Sequence, residues 1–142
     1  MWLKCLVRLS LSLTMSHIYC MTYAQNDALV KGSTYALVIG ISDYKDENIK
    51  DLKYAHKDAE IFASYLASEA GGSVPKENIK LLLNGNATIS NIYVAKKELE
   101  NILKKNDLFY FYFSGHGDVE SDLYKLGFLL AYDTPHKSYL NN

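Results

Sequence analysis

The chain has 142 residues, of which 49% are hydrophobic and 22% charged, and its formal net charge is -1. This length indicates one domain, and the composition is ordinary for a globular protein, which excludes a disordered or low-complexity chain. With so little net charge and no basic stripe, we expect no nucleic-acid partner.

The N-terminal segment has the pattern of a secretory signal peptide. Lys4 and Arg8 precede a leucine-rich stretch, and residues 22–24, TYA, place small side chains where a signal peptidase cleaves. We therefore predict a signal peptide over residues 1–24, a secreted or periplasmic location, and no membrane contact after cleavage. A wrongly assigned start codon, with a leader of no function, is the alternative.

Cleavage after Ala24 would remove both cysteines, Cys5 and Cys20, and the only arginine, Arg8. Loss of two cations would take the net charge from -1 to -3. The mature chain would then have no thiol for a disulfide, a metal site or a nucleophilic attack. Lipidation of Cys20 is the weaker interpretation, because Tyr19 is too large for the residue before a lipidated cysteine.

A linker and a buried strand come next. Residues 25–33, QNDALVKGS, are polar and predict a short linker to one domain over residues 34–142. Residues 35–41, YALVIGI, form a continuous apolar run, which is typical of a strand buried on both faces. Polar Ser42 and Asp43 end this first strand.

A helix and a second strand follow. Apolar residues recur at helical spacing between positions 54 and 70, and Gly71 and Gly72 end this first helix. Residues 79–83, IKLLL, form a short apolar strand that an Asn-Gly turn ends. Strand and helix therefore alternate from the start of the domain.

The alternation continues to the end of the chain. Thr88 or Ser90 caps a second helix, residues 107–113 form an aromatic third strand, and residues 127–131 form a small fourth one. The order β-α-β-α-β predicts a parallel sheet with right-handed crossovers and helices on its faces. In such a sheet the first strand lies in the middle, with the second and third on either side.

Parallel sheets present functional groups at the carboxyl ends of their strands. The third strand ends in SGHGD, residues 114–118, where His116 lies between two glycines that give the backbone freedom. This histidine is either a polar residue at a strand end or a catalytic group on a tight turn. Nucleotide binding has little support, because neither GxGxxG nor GxxxxGK[ST] occurs.

Three stretches together carry a resemblance to a known family: YALVIGISDY at 35–44, DLKYAHKDA at 51–59 and YFSGHG at 112–117. Over residues 33 to 140 or so, the chain resembles the first half of a caspase-like cysteine peptidase of family C14, and is most similar to the metacaspase-type branch. The resemblance implies a three-layer α/β/α sandwich around a mostly parallel sheet, incomplete at its C-terminus.

The resemblance also implies roles for particular residues. His116 would be the proton shuttle, since a histidine with an ordinary pKa near ~6.5 exchanges protons near neutral pH. The amide of Gly117 would help to line the oxyanion hole. Asp58 and Ser114 would bind a basic side chain of the substrate, and Asp43 is a lower-ranked candidate for the mouth of that pocket. The alternatives are a lysine pair for Asp58 and a strand-end cap for Ser114.

The remaining histidines give no sign of a metal site. His56 and His136 are expected to be exposed to solvent, and with Asp58 and His116 they match no metal-ligand spacing. We assign no cofactor to this chain. Calcium sites of the family lie mainly outside this half, so calcium is a candidate cofactor of the full-length protein.

The nucleophile is the element that this sequence does not supply. Caspase-type signatures place the cysteine roughly 50 residues after the histidine, whereas in this 142-residue chain 26 residues follow His116. We expect the cysteine in a missing C-terminal half of the peptidase domain. The third strand would then have an open edge, shielded only by residues 127–131.

Two functional hypotheses follow. The first is the N-terminal half of a secreted cysteine endopeptidase that cleaves a protein or peptide substrate, most favourably after Arg or Lys. A mature chain without arginine disfavours cleavage after aspartate, since arginine is the residue that grips a carboxylate with two parallel hydrogen bonds. The second is a non-catalytic caspase-like module, or truncated pseudo-peptidase, that binds a protein partner.

Overall fold

A computed structural model of the chain describes residues 32–119 and 125–136. Its parallel sheet consists of β1 (Thr34–Gly40), β2 (Ile79–Leu83) and β3 (Leu108–Ser114), in the order β2-β1-β3. The helices are α1 (Ala55–Ala67), after β1, and α2 (Ile89–Ile102), after β2. A separate antiparallel pair consists of β4 (Gly117–Val119) and β5 (Gly127–Leu129). The expected signal peptide and all but the last two residues of the expected linker lie outside the described residues.

The central strand β1 is buried on both faces, as its continuous apolar run predicts. Ala36 and Val38 pack in one core cluster, with residues of α1. Leu37, Ile39 and the following Ile41 pack in a second cluster, with residues of α2. Burial of each leucine or isoleucine stabilises the fold by about 1.5–3 kcal/mol. The α/β fold and the predicted strand order are confirmed.

The start of α1 lies directly on the carboxyl end of β1. A Cβ atom on Gly40 would lie 2.5 Å from Ala59 Cβ and 2.7 Å from the Ala55 carbonyl oxygen. Glycine is therefore required at position 40, because no side chain fits between the strand and the helix. Since Gly40 is the register partner of Ser114, the first turns of α1 lie at the sheet end from which the His116 turn leaves.

The second helix begins where one of the two predicted caps stands. Thr88 has extended backbone angles, and its Oγ1 accepts a hydrogen bond of 3.1 Å from the Asn91 amide. Such a cap satisfies one of the free N–H groups of the first turn and is worth about 1 kcal/mol. Ser90 lies inside α2 and does not cap it.

The expectation that residues 127–131 shield the third strand is wrong. The strand in this segment, Gly127–Leu129, pairs antiparallel with Gly117–Val119 in the separate two-stranded sheet. β4 directly follows His116, so the segment pairs with the strand that comes immediately after the histidine turn. A three-residue strand such as GDV is too short for its alternation to be recognised in the sequence.

The third strand is much less buried than its aromatic sequence suggests. β3 pairs with β1 over its whole length, and it has no second neighbour among the described strands. Phe62 of α1 stacks on Tyr112 at 4.5 Å between ring centroids, which covers part of one face. Phe109 and Phe111 remain 39% and 53% exposed. An aromatic edge with unpaired N–H and C=O groups is a template for pairing with another chain.

We expect the purified 142-residue chain to self-associate through β3 or to be poorly soluble. Phe111→Lys should reduce this association, because a charge on an edge strand opposes pairing with a second sheet. Ile61→Lys is the matched control, since Ile61 is equally apolar and 68% exposed but lies on α1. Sedimentation velocity measures the effect. A parent chain that sediments as a monomer with one cooperative unfolding transition would contradict the prediction.

Candidate active site

His116 follows the carboxyl end of β3 and is held by two hydrogen bonds. Its backbone amide donates to the Tyr44 hydroxyl oxygen at 2.7 Å. Its imidazole Nε2 lies 2.7 Å from the Lys50 carbonyl oxygen. Both partners belong to the loop that joins β1 to α1, so one loop fixes both the backbone and the ring of the histidine.

The bond to Lys50 also fixes the tautomer of His116. A carbonyl oxygen only accepts hydrogen bonds, so Nε2 must carry the proton. In the neutral ring Nδ1 is then unprotonated and keeps its lone pair. A histidine in this state can accept a proton at Nδ1, as a general base requires.

The glycine before His116 is needed for space. A Cβ atom on Gly115 would lie 2.9 Å from the Phe113 ring and 2.9 Å from the Tyr44 hydroxyl oxygen. The expectation that the glycines beside His116 supply backbone freedom is wrong, because the only described glycine with a positive φ is Gly72. Gly115 instead allows the histidine turn to approach Tyr44 closely.

The strand register determines where the amide of Gly117 points. The Leu130 amide donates to the His116 carbonyl at 3.0 Å, and Gly117 pairs with Leu129 in the ladder. Hydrogen-bonded and non-hydrogen-bonded pairs alternate along an antiparallel ladder. Gly117 and Leu129 therefore form a non-hydrogen-bonded pair, and the Gly117 N–H faces away from β5.

Ser42 organises the start of the loop that holds His116. This serine is buried, and its amide donates to Asn84 Oδ1 at 2.9 Å while its carbonyl accepts from the Leu52 amide at 2.7 Å. Its hydroxyl oxygen lies 2.6 Å from His56 Nδ1 and accepts from the His56 amide at 3.1 Å. The expectation that His56 is merely solvated is therefore wrong, since its ring is bound to a buried hydroxyl.

A cavity of about 270 Å³ opens beside His116. Of the predicted site residues, His116 and Gly117 line it, and Asp43, Asp58 and Ser114 do not. Its other lining residues are Asn48, Ile49, Lys50, Asp118, Leu130 and His136. A larger cavity of about 470 Å³ lies between α1 and β2 and is lined by no histidine, so cavity size does not mark the site.

The three residues predicted to bind substrate are not brought together by any described contact. Asp43 and Asp58 are both exposed, and within the described residues neither forms an ion pair. The lysine pair considered for Asp58 is therefore absent from the part of the chain that the structure describes. Ser114 is half-buried, and its carbonyl accepts the Ile41 amide at 2.9 Å. All three lie at the carboxyl end of the sheet, on separate segments.

His136 is exposed, as the sequence predicts, and is tied to the same loop through its backbone. Its amide donates to Asp46 Oδ2 at 2.8 Å, and the Asn48 amide donates to Asp46 Oδ1 at 2.9 Å. The backbone hydrogen bond from His136, followed by those from Asn48, lowers the pKa of Asp46 to about 2. The Asp46 carboxylate thus joins the segment after β5 to the histidine loop.

No cluster of three or more histidine, cysteine or acidic side chains in the part of the chain that is described could hold a metal ion. No helix within residues 32–119 or 125–136 has the length and apolar character to cross a membrane.

Sequence reasoning missed two parts of the site. Tyr44 lies in the motif YALVIGISDY, but that motif does not indicate that its hydroxyl group accepts from the His116 amide. The Lys50 carbonyl carries no sequence signal at all, because every residue has a carbonyl group. Its role depends on the path of the loop, which the fold alone determines.

Comparison with known proteins identifies the family of this chain. Residues 33–141 match the family model described as "Caspase domain", which is that of the C14 peptidases. A curated protein of a Desulfuromonadales bacterium, named a probable protease, is 36% identical over 97 residues. That alignment covers 58% of this chain and 12% of the relative, so the chain spans only a small part of the relative's length. The chain belongs to the caspase-domain family of peptidases.

Gly115→Ala should destabilise the fold and disturb His116. The added methyl group has to displace Tyr44 or the Phe113 ring, and overpacking of this kind costs about 1–3 kcal/mol. Gly127→Ala is the matched control, because a Cβ atom there meets nothing within 4 Å. Urea denaturation of the two variants compares their free energies of unfolding. Equal stabilities would contradict the close approach of Tyr44 to the turn.

Protonation of Asp46 should release the segment at His136 only at strongly acidic pH. Because the folded-state pKa of Asp46 is about 2 instead of 3.8, its stabilising bonds are complete above pH ~4 and are lost as the pH falls towards 2. The His136 amide resonance should therefore titrate with a midpoint near 2 in NMR spectra. Asp46→Asn should abolish this titration, and a midpoint near 4 in the parent chain would contradict it.

Proposed function

We propose that this chain supplies the histidine side of the active site of a metacaspase-type cysteine endopeptidase. The observation that supports it best is the 2.7 Å bond between His116 Nε2 and the Lys50 carbonyl, which leaves Nδ1 as the proton acceptor. The chain belongs to a peptidase family, which supports peptide-bond hydrolysis as the reaction in which this histidine takes part. The substrate is a protein or peptide, and cleavage follows Arg or Lys.

The reaction divides into acylation and hydrolysis. In acylation, Nδ1 of His116 takes the thiol proton of a cysteine, the sulfur attacks the scissile carbonyl carbon, and the carbonyl oxygen becomes an oxyanion. Collapse of this tetrahedral species breaks the C–N bond, and His116 returns its proton to the leaving amine. Water then hydrolyses the thioester, with His116 again as the base. The Gly117 N–H, which faces away from β5, is a donor for the oxyanion.

The thiol of this proposal lies outside the described residues. Cys5 and Cys20 are the only cysteines of the sequence, and both precede the matched domain. We propose that a cysteine beyond the 142 residues completes the site in a longer protein. Export by residues 1–24 and calcium dependence of the full-length protein belong to the same proposal.

The preference for basic residues rests on charge. Asp58 is an exposed carboxylate without an ion pair among the described residues, in the first turn of a helix that lies over the end of β1. Ser114 offers a hydroxyl at the neighbouring strand end, and Asp43 adds a second exposed carboxylate. Such groups attract the cation of a substrate Arg or Lys, whereas residues 32–142 contain no arginine for a substrate aspartate.

A non-catalytic caspase-like module that binds a protein partner is the second candidate. The observation that favours it is the lack of any cysteine within the matched residues 33–141. The two candidates differ in one property: the first predicts turnover once a cysteine-bearing segment is present, and the second predicts binding without turnover.

The purified 142-residue chain should not hydrolyse fluorogenic peptides that end in Arg or Lys. Thiol-sensitive turnover by this chain would contradict the assignment of the nucleophile. A longer protein that includes a cysteine-bearing C-terminal half of the peptidase domain should cleave these peptides. There His116→Ala should lower kcat/KM by about 10²–10⁴-fold, the usual contribution of a general acid-base group. Near-full activity of that variant would contradict the role of His116.

The specificity of the longer, active protein should depend on Asp58. Asp58→Asn should raise KM for Arg and Lys peptides about tenfold, which corresponds to about 1.4 kcal/mol of lost binding free energy. Glu60→Gln is the matched control, because Glu60 is an exposed carboxylate on the same helix that lines the remote cavity. Equal effects of the two variants would show that the preference for basic residues depends on the overall negative charge of the helix and not on Asp58.

A further inference from the structure

We infer that Tyr44 is a positioning residue for His116: its hydroxyl group takes the histidine amide out of the neighbouring strand ladder and thereby aims the imidazole at the Lys50 carbonyl. The inference deepens the proposed function, since the importance of this position for catalysis rests on His116 being the base. The geometry itself is a property of this chain and can be measured without activity.

The contact between the two residues is close and shielded from water. The Tyr44 hydroxyl oxygen accepts from the His116 amide at 2.7 Å, and the two rings lie 5.3 Å apart at 43°. Tyr44 is 8% exposed. A hydrogen bond in such a site competes with little water, so loss of its acceptor would leave a partly buried amide without a partner, which costs about 1–3 kcal/mol.

Tyr44 is itself held from two sides. Its ring belongs to the core cluster that contains Ile41, Ile49 and Leu130. Its amide donates to Asp51 Oδ1 at 3.2 Å, within the same loop. Burial raises the pKa of the Tyr44 hydroxyl, so this group stays neutral at physiological pH. The acceptor is therefore fixed in place and constant in charge.

The hydrogen-bond ladder between β4 and β5 shows which bond of the His116 amide the Tyr44 hydroxyl group replaces. The Leu130 amide donates to the His116 carbonyl, and in a regular antiparallel pair the His116 amide would donate back to Leu130. It donates to Tyr44 instead, and β4 begins one residue later, at Gly117. Without the hydroxyl, the ladder can extend to His116, which turns the peptide plane and draws Nε2 away from Lys50.

The absence of a side chain at Gly115 supports the same interpretation. A Cβ atom there would lie 2.9 Å from the Tyr44 hydroxyl oxygen, so the turn is shaped to admit this hydroxyl. Tyr44 and Gly115 thus act as a pair, of which one supplies the acceptor and the other the space.

Tyr44→Phe in the 142-residue chain tests the inference directly. Tyr112→Phe is the matched control, since Tyr112 is a half-buried tyrosine of the same domain whose ring stacks on Phe62. In Tyr44→Phe we expect hydrogen exchange of the His116 amide to rise at least tenfold relative to the amides of β1. We also expect the imidazole ¹⁵N shifts of His116 to lose the signature of a single Nε2–H tautomer.

Two results would overturn the inference. One is an unchanged His116 tautomer in Tyr44→Phe, which would show that Lys50 alone sets the ring. The other is a rise in exchange that is equal at His116 and throughout β1, which would reduce Tyr44 to a contributor to global stability. Tyr112→Phe should leave both measurements at His116 unchanged.

A longer protein with its cysteine separates this inference from the proposed function. There Tyr44→Phe should lower kcat about tenfold and leave KM unchanged, because a misaimed base slows chemistry without weakening substrate binding. An unchanged kcat would refute the part of the inference that links the position of His116 to catalysis. If no longer protein shows turnover, the proposed function fails, and the exchange and ¹⁵N measurements still decide whether Tyr44 positions His116.

Discussion

The 2.7 Å bond from His116 Nε2 to a backbone carbonyl is the interaction on which the rest of the site depends. A carbonyl of a loop is a useful partner only if the loop is rigid. Rigidity comes from β1, because both cores of the domain are built on this strand. The buried Ser42, two residues after its end, binds Asn84, Leu52 and His56 and so couples the position of the strand to the loop.

Elements with a strong apolar pattern could be predicted from the sequence. The unbroken run in β1 has no polar position that could face water, so double burial and a central place in the sheet were its simplest interpretation. β2 and a cap at Thr88 or Ser90 were predicted for similarly local reasons, and Thr88 is the residue that caps the helix. The site residues remain a prediction from the motif. The structure shows that His116 and Gly117 line one cavity, which Asp58 and Ser114 do not line.

Long-range polar contacts could not be predicted, for a physical reason. His56 lies on a helix whose pattern indicates only which face is apolar, and its Ser42 partner is 14 residues away. An open edge was expected for β3, but the extent to which its aromatic side chains are exposed depends on neighbouring elements that the sequence does not identify. Among the described strands β3 has only β1 beside it, and Phe111 is accordingly 53% exposed. A strand was predicted at residues 127–131, where β5 lies, but its partner β4 was missed because a strand of three residues is too short to show an alternating pattern.

The role of general base proposed for His116 sets two opposing needs, and its placement on a turn, and not within a strand, meets both. A general base must be held firmly at one nitrogen and be open to a reactant at the other. Inside the β4–β5 ladder the backbone would be firm, but the strand pleat would dictate the direction of the side chain. Tyr44 removes the His116 amide from that ladder and replaces the lost hydrogen bond. The His116 backbone therefore stays fixed, while the loop sets the direction of the imidazole. This arrangement requires glycine at position 115, because a larger residue would leave no room for the Tyr44 hydroxyl group.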